Sequence, residues 1–133
     1  MSRDIAAEHR GLQPLFEETR AALQAATPRA QEPFDRLRAA LKTHFAQEER
    51  LYYPAIWALR PEHKAALHDF LEAHAAFLDA LADIADQLER GALGEAEGAF
   101  AVFVESYTPH EDREEELLRD LEREWAARPE RGA

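Results

Sequence analysis

The sequence predicts an all-α protein built as an up-down-up-down four-helix bundle, and three observations carry that prediction. Ala, Leu, Glu and Arg, all good helix formers, dominate a chain of 133 residues that holds only 5 Gly and 7 Pro. Breaker residues divide it into four long segments joined by short connections. Within each segment apolar residues recur in alternating steps of three and four, the period of helices that pack in a left-handed bundle.

The first segment runs to Ala26-Thr27-Pro28 and carries the seam Ile5, His9, Leu12, Phe16, Thr19, Leu23. The second begins near Pro33, which suits a first-turn position where a missing N–H costs little, and ends at Arg60-Pro61. Its seam reads Phe34, Leu37, Leu41, His44, Glu48, Leu51, Ala55, and Pro54 is expected to kink it just beyond Glu48. The third starts at Pro61, follows Leu67, Phe70, His74, Phe77, Leu81, Ile84, Leu88, and stops at Gly91-Ala92-Leu93-Gly94. The fourth follows Phe100, Phe103, Tyr107, His110, Glu114, Leu117, Leu121. This is the length of one domain, with residues 1–126 as the bundle and 127–133 as a frayed tail; Trp57 and Trp125 are expected to cover its end.

Composition removes several functions. A formal net charge of −11 repels phosphate backbones and anionic membrane surfaces, and no Lys/Arg cluster makes a local exception. Cysteine is absent, so any metal is held by His and carboxylate. The N-terminus lacks an apolar signal core and no run approaches the ~18 apolar residues of a membrane span, so the chain reads as cytoplasmic.

Six ionisable residues interrupt the four apolar stripes: His9, His44, Glu48, His74, His110 and Glu114. In an antiparallel bundle, depth follows from counting residues outward from each turn. His74 lies 14 residues after Arg60, and the midpoint of His44 and Glu48 lies 14 before it. His74 and His110 lie 18 residues either side of Ala92. His9 lies 19 before Pro28 and His44 lies 16 after it, a mismatch of about one turn. All six therefore converge on one layer. A lone seam histidine is usually a hydrogen-bonded core residue, but agreement across four helices reverses that reading.

Burying an unpaired carboxylate or imidazolium costs several kcal/mol, too much for a domain of ~5–15 kcal/mol net stability to absorb six times. Metal ions satisfy the whole set at once. The segments beginning at His44 and His110 also repeat the pattern H-x-x-x-E-E-x-L at a separation of 66 residues. Their helices run parallel on a diagonal, so Glu48 and Glu114 reach the axis from opposite sides and can bridge two metals. His9 and His44 then cap one metal, and His74 and His110 the other.

The order His, H-x-x-x-E, His, H-x-x-x-E over four helices resembles the hemerythrin-like (HHE cation-binding) family, over about residues 4 to 125. Pro54, six residues after Glu48, also matches a feature common in that family. The resemblance implies a non-haem di-iron centre bridged by two carboxylates, with an oxo or hydroxo bridge between two Fe ions; by ligand type Mn or Zn would also be accepted. Oxygen-carrying hemerythrins place two His one turn apart on the third helix, whereas Phe70 and Leu78 flank His74 here. That departure favours a sensor, an iron-handling protein or a peroxide- or nitric-oxide-reactive member over a reversible oxygen carrier. Two His and two bridging oxygens per metal leave about two octahedral positions, for a solvent bridge and for dioxygen, peroxide or nitric oxide. No separate general acid, nucleophile or phosphate loop is visible.

Around this set, Glu49 and Glu115 read as exposed helix face, although a bulge at Pro109 would bring Glu115 into the place of Glu114. Tyr52 and Tyr107 are the tyrosines nearest the layer, and His63 and His68 read as surface residues. Two rival functions are a ferritin-like di-iron oxidase or iron store and a metal-free structural or interaction bundle. The first uses Glu-x-x-His on two helices and a Glu from each of the others; here His precedes Glu by four.

Overall fold

The computed structural model describes residues 2–126; the expected tail at 127–133 and the side chain of Trp125 lie outside the described residues. Among the described residues five α-helices form four rods: α1 (Ser2–Gln24), α2 (Gln31–Gln47), α3 (Tyr53–Leu59), α4 (Lys64–Glu89) and α5 (Leu93–Ala126). A π-helical turn, Glu48–Tyr52, joins α2 to α3 without a break, so those two make the second rod. The long rod α1 spans about 35 Å. It packs against α2 and α5, while α4 packs against α5 and α2, which sets α2 and α5 on one diagonal of an up-down-up-down bundle. No helix among the described residues is long and apolar enough to cross a membrane.

The seams of α1 and α4 are buried as the spacing predicts. Two departures occur, each with a local cause. After Glu48 the inward positions are Tyr53 and Ile56, whereas Leu51 is 55% exposed and Ala55 only half-buried. Pro54 has no N–H to bond the carbonyl of Arg50, and the Tyr53 N–H instead reaches back five residues to the carbonyl of Glu48. The expected kink is thus a π turn, which adds one residue and rotates the following register. Late in α5, Leu118 is buried and Leu117 half-buried. A strict three-four seam drifts about 20° per heptad against a straight helix, and in this long helix the inward position moves on by one. Trp57 is 47% exposed, so it does not close the end of the bundle.

The apolar core is split in two. One cluster, including Phe16, Phe45, Phe77, Phe103 and Tyr107, fills the end of the bundle that contains the α1–α2 and α4–α5 connections. The other, including Ile5, Tyr53, Ile56, Phe70 and Leu118, fills the opposite end. His9, His44, Glu48, His74, His110 and Glu114 lie between them. Each rod therefore passes from apolar to polar to apolar, and the two clusters keep water from the layer.

α1 and α4 both end in a Schellman arrangement. Thr27 N–H bonds the Ala22 carbonyl and Ala26 N–H that of Leu23; Ala92 and Gly91 repeat the pattern onto Gln87 and Leu88. The left-handed residue is Gly91 (φ 73°) in one and Ala26 (φ 52°) in the other. Alanine is strained there, and glycine is not. Ala26→Gly is therefore expected to stabilise the fold by about 0.5–1 kcal/mol, after the larger entropy of glycine in the unfolded chain is subtracted. A urea titration checks this; an unchanged or lower midpoint would contradict it.

Candidate metal centre

The rods bring all six predicted residues into one layer. His9, His74, His110, Glu48 and Glu114 are 3% exposed or less, and His44 is 6% exposed. They fall into two groups, His9 with His44 and His74 with His110, and Glu48 and Glu114 belong to both. Within each group one ligating atom per residue lies within 4.8 Å of the others, close enough for a single ion to reach them all.

The ring nitrogens face in consistent directions. His74 Nε2 lies 3.2 Å from Glu48 Oε1, and His110 Nε2 lies 3.2 Å from Glu114 Oε1. His44 Nε2 is 3.5 Å from Glu48 Oε1, and His9 Nε2 is 3.7 Å from Glu114 Oε1 and 4.0 Å from Glu48 Oε2. Every Nε2 thus points into the layer. On the outside, Glu8 Oε2 lies 3.2 Å from His44 Nδ1, and Glu49 Oε2 lies 2.9 Å from His74 Nδ1. Glu115 and Glu111 lie 3.6 and 3.8 Å from His9 Nδ1. A carboxylate beside Nδ1 favours the proton there, which leaves the Nε2 lone pair turned inward and makes it a better donor to a cation.

Titration behaviour follows from burial. Burial, reinforced by the neighbouring Glu114, pushes Glu48 up to about 12. Burial alone would raise Glu114 as well, but the neighbouring imidazoles of His110 and His9 hold it well below the usual carboxylate range. The pair therefore shares its burden unevenly, with one proton retained on Glu48. Burial, together with the neighbouring His9, lowers His44 to about 4, and burial also lowers His74 against the pull of Glu49. At His9, burial acts downward, but Glu114, Glu111 and Glu115 outweigh it and raise the imidazole. Burial pushes Glu111 up to about 7.

Hydrogen bonding within the protein does not satisfy this layer. Both oxygens of Glu48, Oε1 of Glu114 and the Nε2 atoms of His9, His44 and His110 are buried without a hydrogen-bond partner among the described residues. Buried polar atoms are normally paired, so six orphans converging on one layer call for something else to meet them. Imidazole nitrogen and carboxylate oxygen are the donors that divalent transition ions take.

Several neighbours were not read correctly from the sequence. Tyr53, rather than Tyr52, enters the layer: its hydroxyl donates to Glu114 Oε2 at 2.5 Å and lies 3.1 Å from His74 Nε2. The π turn causes this, and Pro54 was its only sequence signal. Tyr107 is buried against the aromatic cluster, its ring stacked on Phe16 and Phe103. Glu49 and Glu115 are not mere exposed face, since each meets the outer nitrogen of a histidine. Glu8 and Glu111, next to His9 and His110 in the chain, had no seam signal. Helix α5 continues through Pro109 without a bulge, so Glu114 stays inside and Glu115 on the flank. Phe70 packs edge-on against the His110 ring at 5.3 Å. His68 is exposed, and His63 is half-buried at the start of α4.

A four-helix bundle with a buried layer of imidazoles around two shared carboxylates defines a helical metal-binding protein. The family model for the hemerythrin HHE cation-binding domain matches residues 1–126, and the chain belongs to that family. Searches of curated proteins and of solved structures return no match.

Proposed function

We propose that the protein holds a non-haem pair of iron ions and uses it to bind or sense a small ligand such as dioxygen, peroxide or nitric oxide. The observation that carries this reading is the sharing of Glu48 and Glu114 between two histidine pairs, which provides two adjacent four-donor sites. His9 and His44 would hold one ion, His74 and His110 the other, and Glu48 and Glu114 both. When bound, the iron pair supplies open coordination positions and one-electron chemistry.

The protein's own residues do the rest. Glu8, Glu49, Glu111 and Glu115 orient the imidazoles of His44, His74 and His9, while the two apolar clusters exclude bulk water. Tyr53 stands where α4 offers no second histidine and presents a hydroxyl to Glu114 and His74. Burial, and next the nearby Glu114 carboxylate, raise that phenol, so it acts as a hydrogen-bond donor at neutral pH. A bond to an ionised group contributes about 1.5–3 kcal/mol. Tyr53→Phe is therefore expected to keep two metals per chain while loosening the His74–His110 side, seen as faster loss of one of the two ions to a chelator. Equal loss rates before and after the substitution would remove Tyr53 from the centre.

The direct test is metal analysis of the protein as purified, with an absorption spectrum before and after exposure to air or peroxide. Two irons per chain and oxo-to-iron charge-transfer bands are expected. Stoichiometric zinc without such bands would replace iron as the resident metal. Many irons per chain would point to storage, and a melting point indifferent to iron and chelator would return the bundle to a structural role.

A further inference from the structure

Outside the polar layer, a groove of about 530 Å³ runs between the second rod and α4. Its two ends carry different side chains. At the inner end Glu49 is engaged by His74. At the outer end Trp57 faces Lys64, whose Nζ lies 5.3 Å from the centre of the indole ring. Lys64 and His74 are ten residues apart, about 15 Å along α4. Between the ends lie Tyr53, Pro54, Leu67, His68 and Leu71, and most of the exposed lining is apolar. Its volume falls in the range of small-molecule sites.

Two features say what would occupy it. Trp57 and Leu71 are 47% and 42% exposed, so a large apolar surface is held open at the lip. Lys64 forms no ion pair with any described carboxylate, in a chain whose formal net charge is −11. A cation left unpaired in an acidic protein, stacked on an indole over an apolar trough, is complementary to an amphiphile with one anionic head. A second copy of the chain brings a further net charge of −11 and an acidic peptide several negative charges, so repulsion opposes both more strongly than an amphiphile with a single anionic head.

We propose that this groove binds a small amphipathic organic anion, with its carboxylate or sulfonate on Lys64 and its apolar body along Trp57 and Leu71 toward Tyr53. The head is thereby kept at the end away from Glu49. The occupant's tail rests against Tyr53, whose hydroxyl bonds Glu114, so it would touch a side chain that borders the polar layer.

The test uses the full chain as purified and two fluorescent probes of like shape, anionic anilinonaphthalene sulfonate and neutral phenylnaphthylamine. One sulfonate per chain is expected, with quenching of tryptophan emission. Lys64→Gln should weaken the sulfonate about fivefold, the upper range for an exposed ion pair, and leave the neutral probe unchanged. Leu71→Asn should weaken both, with helix content by circular dichroism unchanged. The proposal is overturned if Lys64→Gln affects both probes equally or neither, or if Leu71→Asn leaves both in place. Sedimentation as a dimer that buries Trp57 at micromolar concentration would also overturn it, by assigning the groove to a second copy.

Discussion

Glu48→Gln is expected to remove tight binding of both metal ions at once while leaving the metal-free fold standing. Glu48 belongs to both donor groups, so loss of its charge strips an anionic ligand from each. Histidine substitutions should behave differently: His44→Ala should spare the site of His74 and His110, and His110→Ala should spare that of His9 and His44. Metal analysis after dialysis would then read about zero ions for Glu48→Gln and about one for either histidine variant. The fold survives because Glu48, held near 12 by burial and by Glu114, is already protonated in the metal-free protein at neutral pH. A glutamine has nearly the same shape and is likewise neutral. Its metal-free melting point should stay within a few degrees of the parent. Retention of one ion in Glu48→Gln would show that the carboxylate is not shared.

Metal-free and metal-loaded protein are expected to respond to pH with opposite sign. In the metal-free protein Glu48, His9 and Glu111 all have raised values, so above about pH 6.5 the folded state holds more protons than the unfolded chain. Stability then falls as pH rises, by up to about 1.4 kcal/mol per pH unit for each proton retained. His44 acts in the other direction, because its lowered value withdraws stability as pH falls from 6.5 toward 4. Because Glu48 and Glu111 act from their ordinary value of 4.5 upward, the trends oppose one another below pH 6.5, and the metal-free bundle loses stability steadily only above that point. Metal binding reverses the upper limb, since the ligands must shed those protons and affinity rises with pH. With free metal at a thousand times Kd, one site adds about 4 kcal/mol, or roughly 10–20 °C in Tm for a chain of this size. Melting curves from pH 6 to 8.5, with metal and with chelator, should therefore diverge. Parallel curves would mean that no ligand proton is displaced.

Much of this centre was legible before any coordinates, for a simple reason. Helices register burial in one dimension, and a polar residue on an apolar seam stands out wherever the seam is regular. The seams through His9 and His74 lie in helices without a register shift, and each was read in full. Glu48 and Glu114 were legible because the H-x-x-x-E spacing places both residues on one face of a turn. Reading by seam failed where the helix ceased to be regular, at the π turn before Pro54, and there it chose Leu51 and Tyr52 over Tyr53. It also failed for Glu8, Glu49 and Glu111. A carboxylate on the flank of a seam looks like solvated surface until a histidine from another rod comes within ion-pairing distance.

The sequence by itself determined the four rods, their antiparallel order and the height at which six ionisable side chains meet. Those depend on local periodicity and on counting along helices of known rise. Only the tertiary structure decided which nitrogen of each ring turns inward and which outer carboxylates stand beside His9, His44 and His74. It also decided that a tyrosine stands beside His74 and Glu114. Those depend on rotation about helix axes and on distances between rods, which a linear pattern does not encode.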